Sequence, residues 1–326
     1  MAVKYITGWQ DAHKTGSITI NGQTIPLLNW SITKGLRKFT GSATLPATYT
    51  GFESYLNASI SLPVYSGDVK ITQITRNVNT VSVSFMHPLD YQLQYDTSFK
   101  YAPTSTSDLW ELVAYETGFD VAVSSNVAID DNLKAVMIGY LSYHNISNSK
   151  GIFDYVASMT GTTWRIDYDN NRIEFFKYSN PPIITELDTS ITGDDAYIRS
   201  LTSKPPEYIG SVIAFHKSHT GKIYEISGIG GGDATTTIEL PFPIDAISET
   251  TLIDNIKSWV DMMNTQYYAK RLTYLGLDAV NVLHKVIKDN LNGEYLYIYE
   301  IQARVDNATI STVVSAVKTG NIEGGS

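Results

Sequence analysis

Between positions 81 and 85 the chain reads Val-Ser-Val-Ser-Phe, apolar and hydroxyl side chains in strict alternation. A period of two puts the apolar set on one face of an extended strand and the hydroxyl set on the other; a helix would scatter both around its axis. The same period marks Ser17-Ile18-Thr19-Ile20, after which Asn21-Gly22 supplies a two-residue turn and Gln23-Thr24-Ile25 continues. Asn-Gly is the strongest short hairpin signal, because a type I′ turn needs positive φ at both central residues. Further strands are expected over 30–33 and 39–45, joined through Gly35, and over 69–75 and 81–86, joined by a turn at 77–80. The first hundred residues therefore read as antiparallel β structure with one buried face.

The period then changes. Asp108 is placed to cap a helix, with Glu111 three residues on to bond back, and Leu109, Leu112 and Val113 form an i, i+3, i+4 stripe. Gly118 ends it as a left-handed C′ residue would. A second helix is expected over 150–160, with Ile152, Tyr155, Val156 and Met159 on one face and Gly161 as its stop. Next comes a strand in which Trp164, Ile166 and Tyr168 alternate with Arg165 and Asp167, a turn at Asp169-Asn170-Asn171, and a return over 172–178. The segments 109–118 and 152–161 align with Val-Ala and Thr-Gly identical. They read either as an internal helix-Gly-strand repeat or as two amphipathic helices with the same kind of cap.

Asn180-Pro181-Pro182 marks a boundary, since consecutive prolines favour an extended linker. Beyond it, strands are expected over 196–203, 208–216 and 222–227, then a long helix over 249–270 carrying Leu252, Ile256, Trp259, Met263 and Tyr267 on one stripe. The last β segments are 274–286, 294–303 and 309–317.

Composition removes several function classes. The chain has 326 residues, which implies about two domains. It has no cysteine, hence no disulfide framework, thiolate zinc site or cysteine nucleophile. Its net charge of −9 argues against a basic nucleic-acid groove. No run of apolar residues is long enough for a transmembrane helix, so no membrane insertion is expected. Only 17% of residues are charged, while 22 are tyrosine. Such a neutral, Tyr-rich surface suits a chain that sits inside an assembly.

The reactive residues do not converge. The glycines at 228–232 lack the Lys-Ser/Thr of a phosphate loop, Asp233 stands where a dinucleotide fingerprint has its third glycine, and Thr235 to Ile238 follows rather than an immediate helix. His216 and His219 are close but flank a turn, with no third ligand nearby. Ser31 and Lys34 have the spacing of a Ser-x-x-Lys nucleophile, but on a strand, where positions three apart face opposite ways. Asp130-Asp131 and Asp194-Asp195 are sequence neighbours, not carboxylates facing across a cleft. No catalytic residue, metal ligand or cofactor is assigned, and the chain is not expected to be an enzyme. The most unusual local feature is Tyr295, Tyr297 and Tyr299 on one strand face, with Leu296 and Ile298 on the other. Both faces want cover. These tyrosines are the candidate subunit or partner contact, with a sugar-stacking platform as the competing reading.

The order of elements carries a resemblance. The stretch Trp30-Ser-Ile-Thr-Lys-Gly-Leu-Arg-Lys-Phe-Thr-Gly-Ser-Ala-Thr-Leu45, the Thr117-Gly118 cap, the helix-Gly-Trp strand over 152–164 and the hairpin over 167–175 resemble the bacteriophage tail baseplate hub proteins of contractile tails, of the late-control and Mu-like kind. The long helix and the β segment after it resemble their closing region. That resemblance implies an α+β, β-dominated fold: two tube-like antiparallel β-barrel domains at 1–100 and 183–326, with a small α/β domain inserted at 101–182. It implies a structural protein of the virion tail baseplate, made in the host cytoplasm. It also implies a homotrimeric ring that joins the sixfold tail tube to the threefold spike and lets DNA pass. The implied partners are its own copies, a tail tube or distal tail protein, the central spike and a tape-measure protein, with no sequence-specific nucleic acid. An acidic chain would suit such a channel, because a basic wall would trap phosphate. The alternative is a carbohydrate- or receptor-binding β protein of a virion.

Overall fold

The computed structural model describes residues 16–48, 56–95, 108–124, 127, 129, 131, 134–135, 137–138, 148–177, 198–203, 208–215, 223–228, 232–240, 248–267, 269–275, 283–289, 294–306 and 310–318. In chain order the first elements are β1 (Ser17–Ile20), β2 (Gln23–Pro26), β3 (Asn29–Gly35), β4 (Phe39–Pro46), β5 (Asn57–Leu62), β6 (Tyr65–Arg76), β7 (Thr80–Met86) and helix α1 (Pro88–Tyr95). The middle holds α2 (Leu109–Thr117), β8 (Val121–Val123), α3 (Ser149–Thr160), β9 (Thr163–Asp167) and β10 (Arg172–Phe176). There follow β11 (Ile198–Ser203), β12 (Ile209–Phe215), β13 (Ile223–Ser227), β14 (Ala234–Glu239) and α4 (Glu249–Tyr267). The last are β15 (Ala269–Leu275), β16 (Val286–Asp289), β17 (Glu294–Val305) and β18 (Ile310–Lys318).

The fold is α+β and β-dominated, and its residues group into two compact units, both discontinuous in sequence. One gathers 1–92, 185–202 and 270–316; the other gathers 93–184, 203–269 and 317–326. The division at 100 and 183 read from the sequence follows chain order, whereas the contacts draw strands from both ends of the chain into one sheet.

The first unit is built on a large curled sheet of order β11-β15-β18-β17-β3-β4-β7-β6-β5-β1-β2, with β16 also paired to β17. The β1–β2 hairpin turns at Asn21 and Gly22 with φ of 51° and 75°, as its dipeptide requires. Alternation then sets the faces. In β7, Val81, Val83 and Phe85 are buried while Ser82 and Ser84 are not. Each such apolar side chain contributes about 1.5–3 kcal/mol when taken out of water. The inner face collects Ile18, Ile60, Trp30, Leu45, Phe39 and Phe85. Leu28 N–H donates to the Thr44 carbonyl at 2.8 Å, so the chain after β2 returns against β4 and curls the sheet. At the other side of β3 the sheet continues into β17, with Trp30 opposite Val305 and Gly35 opposite Glu300.

The outer face of the same strands carries short hydroxyls. Thr33 lies opposite Thr40, Ser31 opposite Ser42, Ser42 opposite Ser84 and Thr44 opposite Ser82. Ser31 and Ser42 hydroxyls pair at 2.9 Å, and those of Thr19 and Thr24 at 3.0 Å.

In the second unit the strands form two three-stranded sheets, β8-β10-β9 and β13-β12-β14. In the first of these, β10 runs parallel to β8 and antiparallel to β9. Helices α2 and α3 end alike. Thr117 Oγ1 donates to the Val113 carbonyl and Thr160 Oγ1 to that of Val156, and Gly118 and Gly161 take left-handed φ of 69° and 63°. Their N-termini are capped by Asp108, whose carboxylate accepts from Trp110 N–H at 2.9 Å, and by Asn148, which accepts from Gly151 N–H at 2.7 Å. The aligned aromatics of the two segments, Trp110 and Phe153, both pack on Phe175 of the central strand. The likeness of the two segments thus extends from sequence to caps and packing. In α4, Leu252, Ile256 and Val260 are buried, while the side chains of Trp259, Met263 and Tyr267 lie outside the described residues.

Elements β5, β8, β14 and α1 went unread in the sequence, and the strand expected over 274–286 meets β15 and β16 only at 274–275 and 286, with 276–282 outside the described residues. Pro88 opens α1 at a position where its missing N–H costs nothing.

Candidate functional site

Strand β17 crosses the first unit's sheet with cover on both faces over its first half. Leu296, Tyr297 and Ile298 are each 0% exposed. Leu296 and Ile298 join Leu272, Ile301, Val314 and Ala316 in one apolar cluster. On the opposite face, Tyr297 is covered by the turn before β16. There His284 N–H donates to the Ile298 carbonyl and Ile298 N–H donates to the Lys285 carbonyl, both at 3.0 Å. The His284 ring then stacks on Tyr297 at 28°, with its Nδ1 3.1 Å from the tyrosine hydroxyl. His284 holds a positive φ of 64° to do so.

This parts the tyrosine stripe. Tyr295 and Tyr299 are half-buried and reach the surface, whereas Tyr297 is sealed by its own chain. A stacking platform needs adjacent open rings, and here the central ring is taken by His284. Burial, with Glu300 adding to it, pushes the Tyr299 phenol above its ordinary range, and Ser315 bonds to its hydroxyl. Tyr299 is therefore neutral at any ordinary pH.

Arg165 is the second surprise. Alternation put it on the polar side of β9, yet Thr163, Trp164, Arg165 and Ile166 are all buried. Register places Arg165 opposite Glu174, and the guanidinium donates Nε–H to Oε2 at 2.7 Å, with Nη2 at 2.5 Å from the same oxygen. Its Nη1 has no hydrogen-bond partner among the described residues. The other face of the hairpin carries Trp164, whose Nε1–H donates to Asp154 at 2.9 Å while its ring packs on Phe153. The signal was in the sequence. Once the turn after Asp167 is placed, Asp167 falls opposite Arg172 and Arg165 opposite Glu174.

Glu116 occupies the i+7 position of the α2 stripe and is buried with Leu109, Leu112 and Val113. Its Oε2 has no hydrogen-bond partner among the described residues, and burial raises its pKa. A carboxyl raised in the fold supplies stability at low pH that is lost as pH rises through the raised value. Glu116→Gln is therefore expected to stabilise the chain near neutral pH by about 1 kcal/mol and to flatten its loss of stability with rising pH. Thermal melts of both proteins across the acid-to-neutral range check this; an unchanged or lower melting temperature at neutral pH counts against it.

His87 sits beside Phe39 and Tyr65, with ring centroids 5.9 and 6.3 Å away, and its Nδ1 accepts the Leu89 N–H at 3.2 Å. Burial, and then Lys34, lower its pKa from 6.5 to about 4, with Asp68 opposing. Burial, with Asp68, drives the Tyr65 phenol up to about 12. Below pH 6.5 the unfolded imidazole takes a proton that the folded one refuses, so stability falls from there toward pH 4. His87→Gln is expected to remove that slope, which equilibrium unfolding at a series of pH values reads directly.

The remaining reactive residues stay apart. Ser31 hydrogen-bonds Ser42 on the outer sheet face while Lys34 lies opposite Phe39. Asp131 sits 3.9 Å from Lys134. His216, His219, Asp130, Asp194 and Asp195 lie outside the described residues. Gly228 and Gly232 flank the glycine loop, and strand β14 follows it.

No protein-family model matches the sequence, and no curated protein matches it. Solved structures do. The 43 kDa tail protein of prophage MuSo2 from Shewanella oneidensis superposes with a TM-score of 0.64 at 12% identity, over 93% of this chain and 96% of that one. A tail protein from Neisseria meningitidis MC58 gives 0.63 at 10% identity, over 93% and 96%. The Escherichia coli c3393 protein, a type VI secretion component described as similar to the T4 tail proteins gp27 and gp5, gives 0.56 at 10% identity, over 93% and 77%. The chain has the fold of these phage tail proteins.

Proposed function

We propose that this chain is a structural hub of a phage-type tail baseplate, working as a homotrimeric ring rather than as an enzyme. In this reading each protomer supplies two tube-like β domains and a small α/β insert. Three protomers then present six such domains to a sixfold tail tube and three to a central spike. The partners are its own copies, a tail tube or distal tail protein, the spike and a tape-measure protein. Its place is the virion tail, and the ring's opening lets DNA pass. Tyr295 and Tyr299 are the contact candidates left at the surface of β17.

One observation carries the reading: the likeness to tail proteins runs over nearly the whole of both chains, not over a shared module. The low charge of the chain fits a surface largely given over to neighbours. Light scattering on the purified chain is expected to return three times the protomer mass of 36.1 kDa. A monomer at every concentration, or tight sugar binding by a monomer in a titration followed by Trp fluorescence, would reject the hub in favour of a glycan-binding virion protein.

A further inference from the structure

Helix α1 starts without a serine, threonine, aspartate or asparagine cap, and His87 stands in that place. Its backbone N–H donates to the Phe39 carbonyl at 3.1 Å, one step beyond the pair Thr40 and Met86. Its own carbonyl accepts the Tyr91 N–H at 3.0 Å, the first bond of the helix. One residue thus ends the β4–β7 ladder and opens α1. Its side chain completes the cap, because Nδ1 accepts the Leu89 N–H at 3.2 Å, one of the donors that a helix start leaves without a partner.

An imidazole caps on a condition that an asparagine does not have. Nδ1 accepts only while it carries no proton, which puts the neutral ring's proton on Nε2. A second proton turns the acceptor into a donor facing the Leu89 N–H, and it charges a buried side chain. The pocket does little to solvate that charge. Phe39 of β4 and Tyr65 of β6 meet the ring edge-on, and the Tyr65 phenol stays neutral up to about 12. Among the charged groups around it, Lys34 of β3 opposes the protonated ring more strongly than Asp68 of β6 favours it. On α1 itself Asp90 lies in the first turn.

We propose that His87 is an acid-released latch of α1: the neutral ring holds the first turn of the helix to the end of the sheet, and a proton draws the ring out and unfastens that turn while the strands stay paired. Its position gives the latch a consequence. The chain passes from the first compact unit to the second between Gln92 and Leu93, inside α1, so unfastening the helix loosens the connecting stretch. The inference is independent of the ring reading above. A released imidazole binds a proton from about its ordinary 6.5 downward, whereas the folded ring refuses it until about 4. Opening of α1 therefore takes up a proton, and its equilibrium constant approaches a rise of about tenfold per pH unit between those values.

Hydrogen exchange of the full chain tests this, read by mass spectrometry on peptides that cover β7 and α1 separately and corrected for the intrinsic pH dependence of exchange. Protection over α1 is expected to fall as pH drops from 6.5 to about 4, while β7 keeps its own. His87→Asn supplies a cap that does not titrate in this range, so α1 should stay protected and level with pH. His87→Phe fills the pocket without an acceptor, so α1 should lose about tenfold of its protection at every pH. Loss of protection in α1 and β7 together would mean that acid unfolds the unit and that no latch exists. A parent slope retained in His87→Asn would assign it to Asp68 or Asp90. Protection over α1 that is level with pH in the parent would show that the ring does not hold the helix. Each of these overturns the inference, and the parent's split between α1 and β7 decides it even where a variant fails to fold.

Discussion

Arg165→Met is expected to cost about 3–5 kcal/mol of unfolding free energy, and Arg165→Met/Glu174→Leu to return most of that loss. The pair is nearly sealed, with side chains 4% and 9% exposed. Removing the guanidinium leaves the Glu174 carboxylate in a place without water to solvate it. Removing both charges leaves only volume to fill, beside Phe176, whose ring centroid lies 5.8 Å from the guanidinium carbon. The pair is also imperfect, since Arg165 Nη1 goes without a hydrogen bond among the described residues. Denaturant titration of the parent, both single variants and the double variant gives the coupling energy, provided the slopes agree. Single variants that lose less than about 1 kcal/mol would show the pair to be reached by solvent.

Gly41→Val is expected to be as damaging, for a steric reason. Gly41 lies on the core side of β4, and Phe85 lies over it. A Cβ there would come within 2.4 and 2.5 Å of the Phe85 ring and 2.8 Å of the Ser31 carbonyl oxygen. Overpacking a dense core costs about 1–3 kcal/mol and more when backbone must move, so alanine should fall in that range and valine above it. Phe85→Leu should relieve the ring contact but not the carbonyl contact, so the double variant Gly41→Ala/Phe85→Leu should recover part of the loss. Equilibrium unfolding of the full chain tests this. Additive effects would mean that the ring can turn aside without cost.

Much of the fold was legible because its signals are local. The Asn21-Gly22 turn, the alternation in β7 and the Thr-Gly ends of α2 and α3 each need only neighbours in sequence. The misses have local reasons too. Strand β8 has three residues, too few to show a period, and β5 follows a stretch with no turn signal that sets its start. Helix α1 has eight residues and opens at Pro88 directly after β7, with no capping Ser, Thr, Asp or Asn at position 87 to announce it.

The periods of two and 3.6, the caps and the absence of charge on alternate strand positions are properties of a short stretch of chain, and they could be read from residue order alone. What surrounds a side chain is not such a property. Tyr297 is sealed because the turn at His284 folds over it, Arg165 is buried because Glu174 faces it across a hairpin, and the hydroxyls of β3, β4 and β7 form one face because β4 pairs with β3 on one side and with β7, distant in sequence, on the other. Burial and pairing are set by groups distant in sequence, and only the folded arrangement brings those groups together.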